Sequence, residues 1–301
     1  MFHLRNRIFY ERFLLPEQKM IRILGISRAP LFSPNSVLRD TAILQSVAKC
    51  LSKNHGCDVR LIDERFLIPA DLENIEGIFS MGRAKETLEI LAEAEAKGLY
   101  MPNSAASLLT LNRRKLHTFY KALHIEAPEG YDETNLPQDL STLSYPCWLK
   151  RDDGCAQHAD DVQFISIPEE LSEALDLFKM RGIQHFITES HTEGDLLKFY
   201  GVADTEFFFV YPSRGSNGYS KFGLERFNAP SRNYKFDLQA LKQQMNTLAK
   251  ATGVSVYGGD AIIKPSGQFV LIDFNDWPSF SVCRKEAASA IAQLIYKHIS
   301  Q

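Results

Sequence analysis

Between Ile21 and Tyr100, short apolar runs alternate with longer stretches whose apolar residues recur at helical spacing. Parallel α/β layers require this alternation. IRILGI reads as a strand, SRAPLFSPNSV as a proline-punctuated loop, and SVLRDTAILQSVAKCLSKN as an amphipathic helix. HGCDVRLID and IEGIFSM supply further strands, and RAKETLEILAEAEAKG is a helix of strong helix formers. The pattern predicts a small open sheet wrapped by helices. Ligands reach such a sheet at the carboxyl ends of its strands, here Ser27 to Asn35 and Met81 to Lys85.

The pattern then changes. MPNSAASLLTLNRRKLHTFYKALHIEAPEGY has a cap candidate at Asn103 or Ser104 and two short helical patterns before a Pro and Gly break, as a hinge would. Beyond it the strands YPCWLK, VQFISI and HFITES surround the helix PEELSEALDLFKMRG. A last group holds strands DLLKFYGV, EFFFVY, VSVYGGDAII and QFVLIDF, a helix near Phe236 to Thr252 and a closing helix through EAASAIAQLIYKHI. The expected fold class is α/β with α+β lobes. The expected divisions are an extension over 1–19, an N-terminal lobe over 20–102, a central lobe over 103–190 and a C-terminal lobe over 191–301. The leader MFHLRNRIFYERFLLPEQK mixes arginines, acids and aromatics, unlike a secretory signal. Met20 as an alternative start and a short docking helix are equally good readings of it.

Composition narrows the class. The 301 residues are 45% hydrophobic, enough for a sizeable core, and a net charge of −3 provides no global field for nucleic acid or an anionic membrane surface. No run is long and apolar enough to span a bilayer. The five cysteines are scattered without metal-ligand spacing, so a reducing cytoplasm is the expected location.

The strongest chemical signal is GGDAIIKPSGQFVLIDFND, which places Asp260 on one strand and Asp273 and Asn275 on its hairpin neighbour. Residues two apart on a strand share a face, so Asp273 and Asn275 project together. Two carboxylates and an amide oxygen suit a hard cation that bridges phosphates. Solvated acids at a sheet margin are the alternative, although acids inside apolar strands are costly unless paired or metal-bound. Lys150 ends an apolar strand and Lys115 lies in NRRKLHTFY. Each could put a point charge on a phosphate, or be a solvated element end.

The order NSAASLLTLNRRKLHTFYKAL, YPCWLK, FITESHTEGD, GGDAII and VLIDFNDWPSF resembles the ATP-grasp superfamily from about Asn103 to Phe280, with a pre-ATP-grasp lobe before it. The resemblance implies that Lys115 and Lys150 contact ATP phosphates. It implies that Thr188 to His191 form the hinge that meets adenine, mainly through backbone groups of Ser190 and His191 with Glu189 close by, and that Asp195 lies near the ribose. Asp260, Asp273 and Asn275 become ligands for two magnesium ions, with manganese as a substitute. Trp148, Ile187 and Leu271 would wall the base or serve as core. The loop RDDGCAQHADD departs from the family pattern, with only Gly154 where several glycines are usual. His158 on it reads as a substrate contact, a general acid/base or a surface histidine. Lys198 and Arg214 would neutralise substrate or transferring phosphoryl charge, or lie on a solvated loop.

The resemblance covers more than one reaction. A carboxylate–amine ligase working through an acyl phosphate, on a small-molecule or peptide substrate, is the first expectation. SHTEGDLLKFYGV and IDFNDWPSF are also similar to inositol trisphosphate kinases, so a kinase of a phosphorylated polyol is the second. A non-catalytic nucleotide-binding protein is the third. A homodimer through the N-terminal lobe is common in the family, and no residue here requires it.

Overall fold

The computed structural model describes residues 20–152, 156–213, 224–228 and 230–300. Its first lobe is a parallel sheet with β1 (Arg22–Ser27) between β2 (Asp58–Asp63) and β3 (Gly77–Ser80). Ile23, Leu24 and Ile26 of β1 are all fully buried. A central parallel strand is covered on both faces, which is why IRILGI is almost continuously apolar. α1 (Val37–His55) crosses from β1 to β2 and stops at Gly56, whose φ of 67° is left-handed. α2 (Lys85–Ala96) follows β3.

Two short helices, α3 (Ala105–Leu108) and α4 (Arg113–Ala122), lead to the second lobe. The Asn112 side chain caps α4 by accepting from the backbone N–H of Lys115 at 2.8 Å. The lobe's strands are β4 (Gly130–Asp132), β5 (Cys147–Arg151), β6 (Val162–Ile165) and β7 (Phe186–Ser190), in the order β4-β7-β5-β6. α5 (Pro168–Met180) covers this sheet, burying Leu171, Ala174 and Phe178 with Cys147, Leu149 and Ile165.

The third sheet contains β8 (Asp195–Val202), β9 (Phe208–Pro212), β10 (Val256–Ile263) and β11 (Phe269–Asp276), in the order β11-β10-β8-β9. α6 (Leu238–Thr252) packs on it through Leu241, Met245 and Leu248. The closing helix, α7 (Arg284–Ile299), departs from its expected place. Its Ile291, Leu294 and Ile295 are buried in one cluster with Ile23, Val47, Leu51 and Phe79 of the first lobe and Val202 and Val256 of the third sheet, so it packs on the first lobe as well as on the third. Fully burying each such side chain contributes about 1.5–3 kcal/mol, enough to draw the chain terminus back across the molecule. The turn between β11 and α7 makes the same crossing, since Trp277 and Phe280 are fully buried in that cluster. No helix among the described residues is long and apolar enough to cross a membrane.

Candidate active site

The sheets of the second and third lobes enclose a cavity of about 360 Å³ whose far end is closed by the first lobe. Its centre is an irregularity in the hairpin of β10 and β11. Asp260 pairs with Asp273, but Ala261 pairs with Leu271, so Ile272 is an extra residue in β11. A bulge leaves such a residue without a ladder partner and re-aims its neighbours. Here the Ile272 carbonyl accepts from Lys150 Nζ at 3.0 Å, joining the second lobe to the third. Asp260 and Asp273 are left directly opposite each other, with Asn275 two residues on and facing Gly258.

Among the described residues the cavity's charges are matched. Its described lining carries five cations, Arg28, Arg83, Arg113, Lys150 and Lys198, and five carboxylates, Asp40, Asp276, Asp273, Glu189 and Asp260. Each cation contacts the carboxylate in the same position of that sequence. Arg28 lies 3.4 Å from Asp40, Arg113 lies 2.8 Å from Asp273 and Lys198 lies 3.1 Å from Asp260. Arg83 contacts Asp276 and Lys150 contacts Glu189.

Burial pushes the Glu189 carboxyl up, but Lys150 and His117 outweigh it and bring the group down to about 2. His117 Nε2 lies 2.7 Å from Glu189 Oε1. Burial likewise raises Asp273, while Arg113, Lys150 and a hydrogen bond from Asn275 Nδ2 at 3.0 Å leave it below the usual carboxylate range. Both acids therefore stay ionised at neutral pH. At the other wall Trp148 Nε1 donates to His191 Nδ1 at 3.1 Å, and burial lowers the His191 pKa. Val162, Leu196, Ile262 and Ile272 give this end an apolar lining beside Ser190 and His191.

Most expected site residues converge here. Lys150, Glu189, Ser190, His191, Lys198, Asp260, Asp273, Asn275 and Trp148 all line the cavity. Lys115 does not: it is exposed and its Nζ donates to Thr110 Oγ1 at 2.6 Å. Arg113 faces inward instead, because residues two apart on a helix point to different sides. Asp195 also lies outside the lining, where it accepts from the backbone N–H groups of Arg232 at 2.6 Å and Tyr234 at 2.7 Å. It fixes the chain after residue 230 rather than facing the cavity. His158 is exposed and away from the lining, and its backbone N–H is capped by Asp161. Ile187 and Leu271 are buried outside the lining. Arg214 and Gly154 lie outside the described residues.

Sequence reading missed Arg28, Asp40, Arg83, Arg113 and Asp276. Arg28 and Arg83 do sit in the strand-end segments it flagged, but nothing there marked them over their neighbours. Asp276 was hidden by alternation, which assigns it the face opposite Asp273 and Asn275.

The donors present fit a magnesium-type cation. Among the described residues no three His, Cys, Asp or Glu side chains converge as an all-protein cage would require. Two opposed carboxylates and an amide match an ion that keeps water and is shared with phosphates.

No protein-family model matches the chain, and no curated protein is significantly similar in sequence. Solved structures do match across nearly its whole length. The ATP complex of D-alanine–D-alanine ligase from Bacillus anthracis superposes with a TM-score of 0.68 at 14% identity, covering 93% of this chain and 97% of that one. A RimK domain ATP-grasp protein from Sphaerobacter thermophilus gives 0.63 at 15% identity, covering 91% and 99%. The VanG D-Ala:D-Ser ligase from Enterococcus faecalis gives 0.66 at 15% identity, covering 91% and 98%. Likeness at this identity speaks to architecture, and it extends over nearly the whole of each chain: this chain has the ATP-grasp fold.

Proposed function

We propose that this protein is an ATP- and magnesium-dependent carboxylate–amine ligase. The observation that carries the reading is the described lining of the cavity, in which each of five cations is paired with a carboxylate. A charge-balanced cavity suits a nucleotide whose phosphate charge is compensated by metal, together with substrates of small net charge. It suits a phosphorylated polyol poorly, because such a polyanion calls for cations in excess. The likeness to D-alanine–D-alanine and D-Ala:D-Ser ligases supports the same choice.

Bound at Asp260, Asp273 and Asn275, magnesium would neutralise charge on the phosphoryl group in transfer. Lys150 is held between Glu189 and the Ile272 carbonyl, so its ammonium stays at a fixed point beside the phosphate path. Arg113 offers a planar guanidinium at the same place, and Lys198 stands over Asp260 on the substrate side. Ser190 and His191 with the apolar wall around Trp148 would take the base. Preset donors of this kind stabilise charge that develops in an acyl phosphate and in the tetrahedral oxyanion that follows.

The test is a magnesium-dependent ATP assay with pooled amino acids, short peptides and phosphorylated polyols, following ADP and free phosphate separately. The ligase reading expects ADP and phosphate in equal amounts only when an acid and an amine are both present. ADP without free phosphate, driven by a polyol, would replace it with the kinase. Failure to bind ATP would overturn both.

A further inference from the structure

One face of α4 carries two side chains toward the phosphate path. Arg113 and His117 stand one helical turn apart, so they are neighbours on its surface. Arg113 Nη1 donates to Asp273 Oδ1 at 2.8 Å, and His117 Nε2 lies 2.7 Å from Glu189 Oε1. Lys150 Nζ donates to the other oxygen, Glu189 Oε2, and to the Ile272 carbonyl at 3.0 Å. His117 is half-buried and stands behind Glu189, outside the cavity lining.

Glu189 is buried and ionised. An ionised carboxylate can only accept, so His117 Nε2 bears a hydrogen and donates to Oε1. The imidazole is itself held: its ring lies 5.3 Å from that of the buried Tyr120, and the start of its helix is fixed by the Asn112 cap and by Asp152. Each oxygen of Glu189 therefore has its own donor, one from α4 and one from β5. The terminal torsion of a glutamate is broad, so a carboxylate anchored at one oxygen alone can turn and grip an ammonium with both. That grip would draw Lys150 Nζ off the Ile272 carbonyl.

We propose that His117 is a positioning residue for the Lys150 ammonium, acting through Glu189 and touching neither nucleotide nor metal. This rests on the ATP-dependent reading and adds to it a residue that the reading does not contain. An ammonium has three donors, and Glu189 and the Ile272 carbonyl take two of those of Lys150. By occupying Oε1, His117 limits Glu189 to one bond with the ammonium and keeps the third donor for a phosphate oxygen. One helix face thereby sets both charges at the phosphate path, Arg113 directly and Lys150 at one remove.

The test is binding to the full chain, measured by displacement of a fluorescent ATP analogue. One competitor is ATP with magnesium, and the other is adenosine, which has no phosphate for Lys150 to meet. In His117→Ala the affinity for ATP is expected to fall about tenfold, the size of a lost hydrogen bond to a charged group, while that for adenosine changes by less than about twofold. His117→Gln is expected to bind ATP as the unaltered chain does, because its amide nitrogen reaches the place of the imidazole Nε2. His117→Asn, whose amide reaches only as far as Nδ1, is expected to behave like His117→Ala. Unchanged ATP affinity in His117→Ala, or equal losses for ATP and adenosine, would overturn the positioning role and leave ATP binding standing. If His117→Ala does not fold, the other two variants decide, and the same ATP affinity in both would overturn the role. No ATP binding by the unaltered chain would overturn the ATP-dependent reading, and the role of His117 with it.

Discussion

Arg113 Nη1 donates to Asp273 Oδ1 at 2.8 Å, joining the first turn of α4 to β11 across 160 residues of sequence. Asp152 holds the start of α4 from the other side by accepting from the backbone N–H of Arg114 at 3.3 Å and from that of Arg113. The guanidinium is therefore positioned by a capped helix end and cannot be replaced by Lys115, which faces solvent. Arg113→Met is expected to lower kcat/KM for ATP by about 10²–10³-fold, the usual cost of removing one preset donor from a site where charge develops. Lys115→Met is expected to change it by less than twofold. Equal losses in the two variants would return the phosphate contact to Lys115.

Gly259 offers a second point of attack on the same carboxylate. A Cβ there would lie 2.2 Å from the Asp273 carbonyl oxygen and 2.5 Å from Phe199 Cζ. One obstacle is backbone and the other is a fully buried ring, so neither yields cheaply. Gly259→Ala is expected to cost about 1–3 kcal/mol of stability, as overpacking does. By displacing Asp273 it should also cut ATP turnover about 10²-fold, the effect of a misplacement near 1 Å. Gly56→Ala, at a helix end with open space around it, is the control for stability lost without displacement of Asp273. Unimpaired turnover in Gly259→Ala would mean that the position of Asp273 set by the strand pair does not matter to the reaction.

Particular residues show what a sequence can carry. Asp260, Asp273 and Asn275 were legible because they interrupt apolar strands, where an acid has to have a reason. Ser190 and His191 were legible only through their place in a recognised order of strands. Arg113 and Lys115 sit two apart in one cationic run, and only the helix phase set by the Asn112 cap tells which faces inward. The bulge at Ile272 left no trace, since Val270, Leu271 and Ile272 are interchangeable in pattern. Likewise α7 reads as one more buried helix, and its return to the first lobe depends on a turn with Trp277 and Phe280 at φ 36° and 48°. Pattern rarely places bulky residues in that left-handed region.

The Lys150 and Glu189 pair makes a prediction for acid. The Glu189 carboxyl sits at about 2 in the folded chain against an ordinary 4.5. Its folded value is depressed, so the stability it contributes is fully present above pH 4.5 and is lost as pH falls toward 2. That difference corresponds to about 3 kcal/mol. Glu189→Gln is expected to lower the melting temperature at pH 7, because it strands the Lys150 ammonium in a buried place. It should also flatten the fall in melting temperature between pH 4.5 and pH 2 relative to the unaltered chain. Parallel curves for the two proteins would show that Glu189 does not carry the acid sensitivity.

His191 gives a prediction nearer neutrality. The indole Nε1 of Trp148 can only donate, so His191 Nδ1 must be the acceptor and the imidazole is neutral in the folded chain. Burial lowers its pKa below 6.5, which agrees with the geometry. The unfolded chain thus binds the proton more readily, and stability is complete above pH 6.5 and falls as pH drops toward the lowered value. Protonation places a hydrogen on Nδ1 facing another N–H, so the Trp148 bond cannot survive it. Because both rings line the cavity where the base is proposed to sit, adenine nucleotide affinity should weaken over the same range. Tryptophan fluorescence reports the event: the chain has two tryptophans, and Trp277, which also borders the cavity, is fully buried and makes no contact with His191 that would change on its protonation. A fluorescence step with its midpoint below pH 6.5 is expected, absent in Trp148→Phe and in His191→Gln. A midpoint above 6.5 would mean that His191 is charged in the native chain and that the indole donates elsewhere.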